Sequence, residues 1–152
     1  MIRLALYQPD IPQNTGAAMR LCACLGAGLD IIEPCGFLFD DKKVRRSGMD
    51  YIEALDYVRH SSWEKFVEAN SGKRRIILMT TKASIPYTDF TYKEDDILLA
   101  GSESAGVHDH VHAASDGRVI IPLRAGLRSL NMVNAASMIM GEALRQTKRF
   151  PA

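Results

Sequence analysis

The sequence is short of cysteine, of long apolar runs and of net charge, and each shortage argues against a class of protein. Cys22, Cys24 and Cys35 are the three cysteines. An odd number in a chain that reads as non-secreted argues against a disulfide framework. Cys22 and Cys24 stand two apart in a helical stretch, so they face different sides and miss the usual zinc spacing. Buried thiols are the expectation. No apolar run approaches the roughly 18 residues a membrane span needs. The opening stretch Met1–Asp10 is broken by Pro9, too early for a signal peptide. The chain therefore reads as a soluble cytoplasmic protein with no membrane partner. Nineteen Lys and Arg against 18 Asp and Glu leave a net charge of +1. That balance argues against a polybasic wrapper of DNA or RNA and leaves room for a local basic patch. Neither G-x-G-x-x-G nor a P-loop is present, so a pyrophosphate cradle is not expected.

What is present is one ordinary domain, residues 1–152, long enough to bury a full core. Apolar runs predict strands over Ile2–Tyr7, Leu29–Glu33, Arg75–Thr81, Asp96–Ala100 and Arg118–Pro122, with a weaker one over Ala54–Arg59. Between them, Asn14 is placed to cap a helix over Thr15–Leu25, closed by Gly26. Ser61 is placed to cap a helix through Ala69, and a charged surface helix is expected over Asp40–Ser47. The last helix, Ser129–Thr147, carries apolar residues all round, the signature of a buried element. Strands apolar on both faces, alternating with helices, predict an α/β fold with a mostly parallel sheet covered on both sides.

In such sheets ligands bind outside the carboxyl ends of the strands. Those ends carry Asn14-Thr15-Gly16, Met79-Thr80-Thr81-Lys82, Gly101-Ser102-Glu103-Ser104-Ala105-Gly106 and Ile121-Pro122-Leu123. Gly101 and Gly106 suit a strand-to-helix turn with unusual dihedrals. Glu103 between two serines could bind a ligand or cap a neighbouring helix. Asn131, Asn134 and Ser137 form a polar stripe on the last helix. Such groups form either a structural network or the floor of a ligand site, since an unpaired buried polar group costs roughly 1–3 kcal/mol. Arg20 lies one turn beyond Gly16 and could point into the same cleft. His108, His110 and His112 alternate, but their frame is a loop and short helix, so no metal is expected.

Three segments, in this order, resemble the motifs of the SPOUT methyltransferases. They are Asn14-Thr15-Gly16 with Arg20, Leu98 to Gly106, and Ile120 to Leu123 followed by Arg128 to Ala136. The minimal length, the run Tyr7 to Gly16 and Ile32-Glu33-Pro34 are most similar to the TrmL-type branch. The resemblance implies an α/β domain with a C-terminal trefoil knot, working as a homodimer. It implies transfer of a methyl group from S-adenosylmethionine to the ribose 2′-hydroxyl of the wobble cytidine or uridine of tRNA, leaving S-adenosylhomocysteine. Carried onto this chain, Met79, Gly101, Ile121, Leu123, Ser129 and Leu130 would hold the cofactor. Asn14, Arg20, Glu103, Ser129 and Asn131 would face the acceptor. An arginine with a pKa above about 12 suits a phosphate or oxyanion anchor better than a base. Lys42, Lys43, Arg45 and Arg46 are the first candidates for RNA contact, followed by Lys73-Arg74-Arg75 and Arg145 to Arg149. Three alternatives stand beside this reading: 2′-O-methylation of another tRNA position or of rRNA, a catalytically inactive RNA-binding dimer, and a flavodoxin-like nucleotide binder.

Overall fold

The computed structural model describes residues 1–38, 42 and 53–152. In chain order these form β1 (Arg3–Tyr7), α1 (Pro12–Leu25), β2 (Gly28–Ile32), β3 (Tyr57–His60), α2 (Trp63–Asn70), β4 (Ile76–Met79), β5 (Ile97–Ala100), α3 (Asp109–Ala114), β6 (Gly117–Val119) and α4 (Met132–Thr147). The six described strands make one sheet in the order β3-β2-β1-β5-β4-β6, and every pair is parallel.

The apolar runs explain the layering. Every residue of β1, β2 and β5 is buried. Alternate side chains of β1 enter opposite cores. Leu4 and Leu6 pack with Met19 and Cys22 of α1 and with Ile139 and Met140 of α4, whereas Ala5 and Tyr7 pack with Trp63 and Phe66 of α2 and Val111 of α3. Each fully buried leucine, isoleucine or phenylalanine contributes about 1.5–3 kcal/mol.

One polar cluster interrupts this apolar interior. Arg3 Nε donates to Asp30 Oδ2 at 2.6 Å, and His60 Nε2 lies 2.8 Å from Asp30 Oδ1. All three residues are buried. Arg3 also reaches Asp56 Oδ2 at 2.8 Å, so one guanidinium ties β1 to β2 and to the approach to β3. Gly28 leaves room for this guanidinium: a Cβ there would stand 2.2 Å from Arg3 Nη1 and push it off its carboxylate partners.

Several boundaries differ from expectation. Helix α1 starts at Pro12, with Ile11 at its N-cap, so Asn14 sits inside the first turn. Proline at the first helical position lacks only an N–H that no helix residue would bond. Ser62, not Ser61, caps α2, accepting from Lys65 N. Helix α4 starts at Met132, with Asn131 as its cap. β6 ends at Val119, and Ile120 instead bridges Pro86. Cys22 is buried as expected, and its thiol is pushed up to about 12 by burial, but Cys24 is exposed. The expected helix over 40–47, with Lys43, Arg45 and Arg46, lies outside the described residues; Lys42 is described and exposed.

Candidate functional site: a cavity at the switch point of the sheet

The order of the strands reverses beside β1. From β1 the chain proceeds outward to β2 and β3, then returns so that β5 lies on its other side. The gap between the loops after β1 and β5 is the topological switch point, where ligands of open α/β sheets bind. A cavity of about 530 Å³ opens at the carboxyl ends of β4, β5 and β6 next to it. Its volume suits a small organic ligand.

The six residues expected to hold a cofactor, Met79, Gly101, Ile121, Leu123, Ser129 and Leu130, all line this cavity. Of the five expected to face the acceptor, Asn14, Glu103, Ser129 and Asn131 line it as well. Arg20 does not line it; it is exposed on α1. Six residues beyond Asn14, it stands about 9 Å along the helix axis and about 120° around it. Of the polar stripe on the last helix, Asn131 reaches the cavity, whereas Asn134 and Ser137 do not; Ser137 Oγ bonds back to Asn134 O.

Distant segments meet here through a chain of hydrogen bonds. Asn131 Oδ1 accepts from Val133 N at 2.9 Å and Asn134 N at 3.3 Å, capping α4. Its Nδ2 donates to Asn14 Oδ1 at 3.2 Å, and Asn14 Nδ2 donates to Glu103 Oε1 at 3.4 Å. Glu103 Oε2 accepts from Asp10 N at 2.9 Å. The cap fixes which way the Asn131 amide points, that fixes Asn14, and Asn14 presents a donor to the carboxylate. Burial, then a side-chain hydrogen bond to the Asp10 carboxylate, push the Glu103 carboxyl above its ordinary value, against the Asp10 N–H, which favours the charged form. Asp10 is held below its ordinary value by hydrogen bonds with Glu103 and Ser104.

The turn that presents Glu103 has a backbone reason for both glycines. Ser102 N bonds Gly106 O at 2.9 Å and Gly106 N bonds Ser102 O at 2.8 Å. Gly106 has φ 66°, and a Cβ on Gly101 would stand 2.8 Å from the Gly106 carbonyl carbon. Sequence reasoning missed Asp10. An acidic residue between Pro9 and Pro12 reads as a turn, although its place just after β1 was the available signal.

The fold and the cavity define an α/β protein with a small-molecule site at its switch point. A family model described as the SpoU rRNA Methylase family matches residues 1–141. The chain is 58% identical over 145 residues to a tRNA (cytidine(34)-2'-O)-methyltransferase of Beijerinckia indica, covering 94% of this chain and 90% of that one. It is 39% identical over 148 residues to the Escherichia coli K12 protein of the same name, covering 96% and 94%. A solved structure described as "Structural insights into the 2-OH methylation of C/U34 on tRNA" superposes with a TM-score of 0.89 at 37% identity, covering 96% of this chain and 95% of that one. The SpoU methyltransferase AviRb of Streptomyces viridochromogenes, in complex with AdoMet, superposes with a TM-score of 0.79 at 29% identity, covering 95% of this chain and 59% of that one. This chain belongs to the SpoU methylase family.

Proposed function

We propose that this chain transfers a methyl group from S-adenosylmethionine to the ribose 2′-hydroxyl of the wobble nucleotide, cytidine or uridine, of tRNA. The observation that carries this reading is the cavity, with the six expected cofactor residues around it and the Asn131–Asn14–Glu103 chain on its rim. The names of the relatives, at up to 58% identity over nearly the whole chain, supply the substrate.

The donor set fits the cofactor. Leu78, Val119, Ile121 and Ile139 give the apolar walls an adenine needs, and Glu103 on the rim offers negative charge toward a sulfonium or ammonium. Met79, Gly101, Ile121, Leu123, Ser129 and Leu130 would hold it, and it would supply an activated methyl group. The residues of this chain then have three tasks. Asn14, Ser129 and Asn131 orient the ribose, which converts a bimolecular encounter into an aligned one. Glu103 receives or relays the hydroxyl proton, and its raised pKa brings it toward neutrality, where proton exchange is most efficient. Arg20, exposed on α1, anchors a phosphate of the incoming RNA.

The same reading covers the rest of the molecule. The chain acts as a single domain in the cytoplasm, where its substrate is. It works as a homodimer, with the C-terminal knot the resemblance implies. Leu127, 69% exposed, and Met138, 40% exposed, are the apolar surface a partner subunit would cover. Lys42, Lys43, Arg45 and Arg46 would grip the tRNA backbone. Among the described residues, no helix is long and apolar enough to cross a membrane.

The test is methylation of bulk tRNA lacking this modification, with labelled S-adenosylmethionine and mapping of the product nucleoside by mass spectrometry. The expected product is 2′-O-methylcytidine or 2′-O-methyluridine at position 34. Label on a base, or at another position, overturns the assignment.

A further inference from the structure

Four aromatic rings meet just beyond the turn that presents Glu103, and the proposed reaction uses none of them. Tyr7 ends β1 and is buried, and its hydroxyl lies 2.5 Å from His108 Nδ1. His108 and His110 stack, with centroids 5.7 Å apart and planes 21° apart. Tyr7 meets His108 edge-on at 5.8 Å and Trp63 edge-on at 5.9 Å, and Trp63 meets His110 at 6.5 Å. Tyr7 and Trp63 are core residues, whereas both imidazoles are exposed. A solvent-facing ring pair is thus mounted on a rigid base.

The pair also has a defined address. His108 follows Glu103 by five residues, and Val107 between them lines the cavity. Acidic groups flank it, with Asp109 opening α3 and Glu64 opening α2 and acting electrostatically on Tyr7, while the Arg118 guanidinium is tied to the His112 carbonyl at the far end of α3. The carboxylates nearest the rings favour a neutral π-face over a phosphate there.

From this we infer that His108 and His110 form a stacking platform for an unpaired nucleobase of the RNA substrate, one flanking the nucleotide that enters the cavity. The inference rests on the proposed action on tRNA and adds how the strand beside the acceptor is held. Histidine is among the rings that stack unpaired bases, and it can do so without reading their identity.

The experiment measures affinity for an unmodified anticodon stem-loop across a salt series, for wild type, His110→Ala, His108→Ala with His110→Ala, and His110→Tyr. His110 is exposed and outside both cores, so His110→Ala reports on binding even where loss of the Tyr7–His108 contact harms folding. About a ten-fold loss in the alanine variants, recovery in His110→Tyr and an unchanged salt slope are expected. A lost phosphate contact instead flattens the slope by about 0.7–0.9, and that result, or wild-type affinity in His110→Ala, overturns the platform. Stem-loop binding without methylation at position 34 overturns the proposed function while the platform is still read out. A wild-type protein that binds no stem-loop overturns both.

Discussion

Asn131 performs two tasks with one amide. Its oxygen caps α4 and its nitrogen orients Asn14, so the helix terminus serves as the rigid mount of the site. Glu103 sits at the other end of that chain, where burial works against its charge. A carboxyl with a raised pKa is neutral below that pKa and can accept a proton only above it. The methylation rate should therefore rise with pH through an acid limb lying above the ordinary glutamate value. Glu103→Gln has no titrating group and should lose that limb together with about 100-fold or more of the rate. Measurement of kcat/KM against pH for both proteins checks this, and an unchanged acid limb in Glu103→Gln contradicts the assigned role.

At the scale of elements, buried charge does what apolar packing does elsewhere. Asp30 in β2 holds Arg3 of β1 and His60 of β3. Asp30→Ala would leave a buried guanidinium with part of its partnership gone, and should cost about 3 kcal/mol in urea unfolding. A loss below about 1 kcal/mol would show that Asp56 alone satisfies Arg3. The strands of the fold were legible because β4 and β5 are apolar throughout and β1 and β2 are broken by one charge each, a pattern that survives without context. Helix starts were less so. Asn14 looks like a cap, yet its amide is engaged by Glu103 and Asn131, residues 89 and 117 positions away. Pro12 was the stronger local signal. The ends of the site were legible for a related reason. Gly101 and Gly106 are demanded by one tight turn, whereas the role of Asp10 depends on a loop brought to it by the sheet order, which no spacing reveals.

For the whole molecule, a net charge of +1 is compatible with RNA binding if its cations are clustered and two chains combine them. Helix α4 buries Ala136, Ile139, Met140, Ala143 and Leu144 within its own chain and leaves Met138 outside. Met138 is where a partner subunit of the proposed homodimer would pack. Light scattering should give twice the chain mass for the native protein and the single chain mass for Met138→Asp. A native protein of single chain mass contradicts the homodimer.

The proposed acceptor is one hydroxyl, the ribose 2′-hydroxyl of nucleotide 34. It is tested most directly with two anticodon stem-loops that differ only at position 34, one with a ribose and one with a 2′-deoxyribose. The expected result is methyl transfer to the first and none to the second. Transfer to the deoxy substrate, or to neither while full-length tRNA is methylated elsewhere, would contradict it.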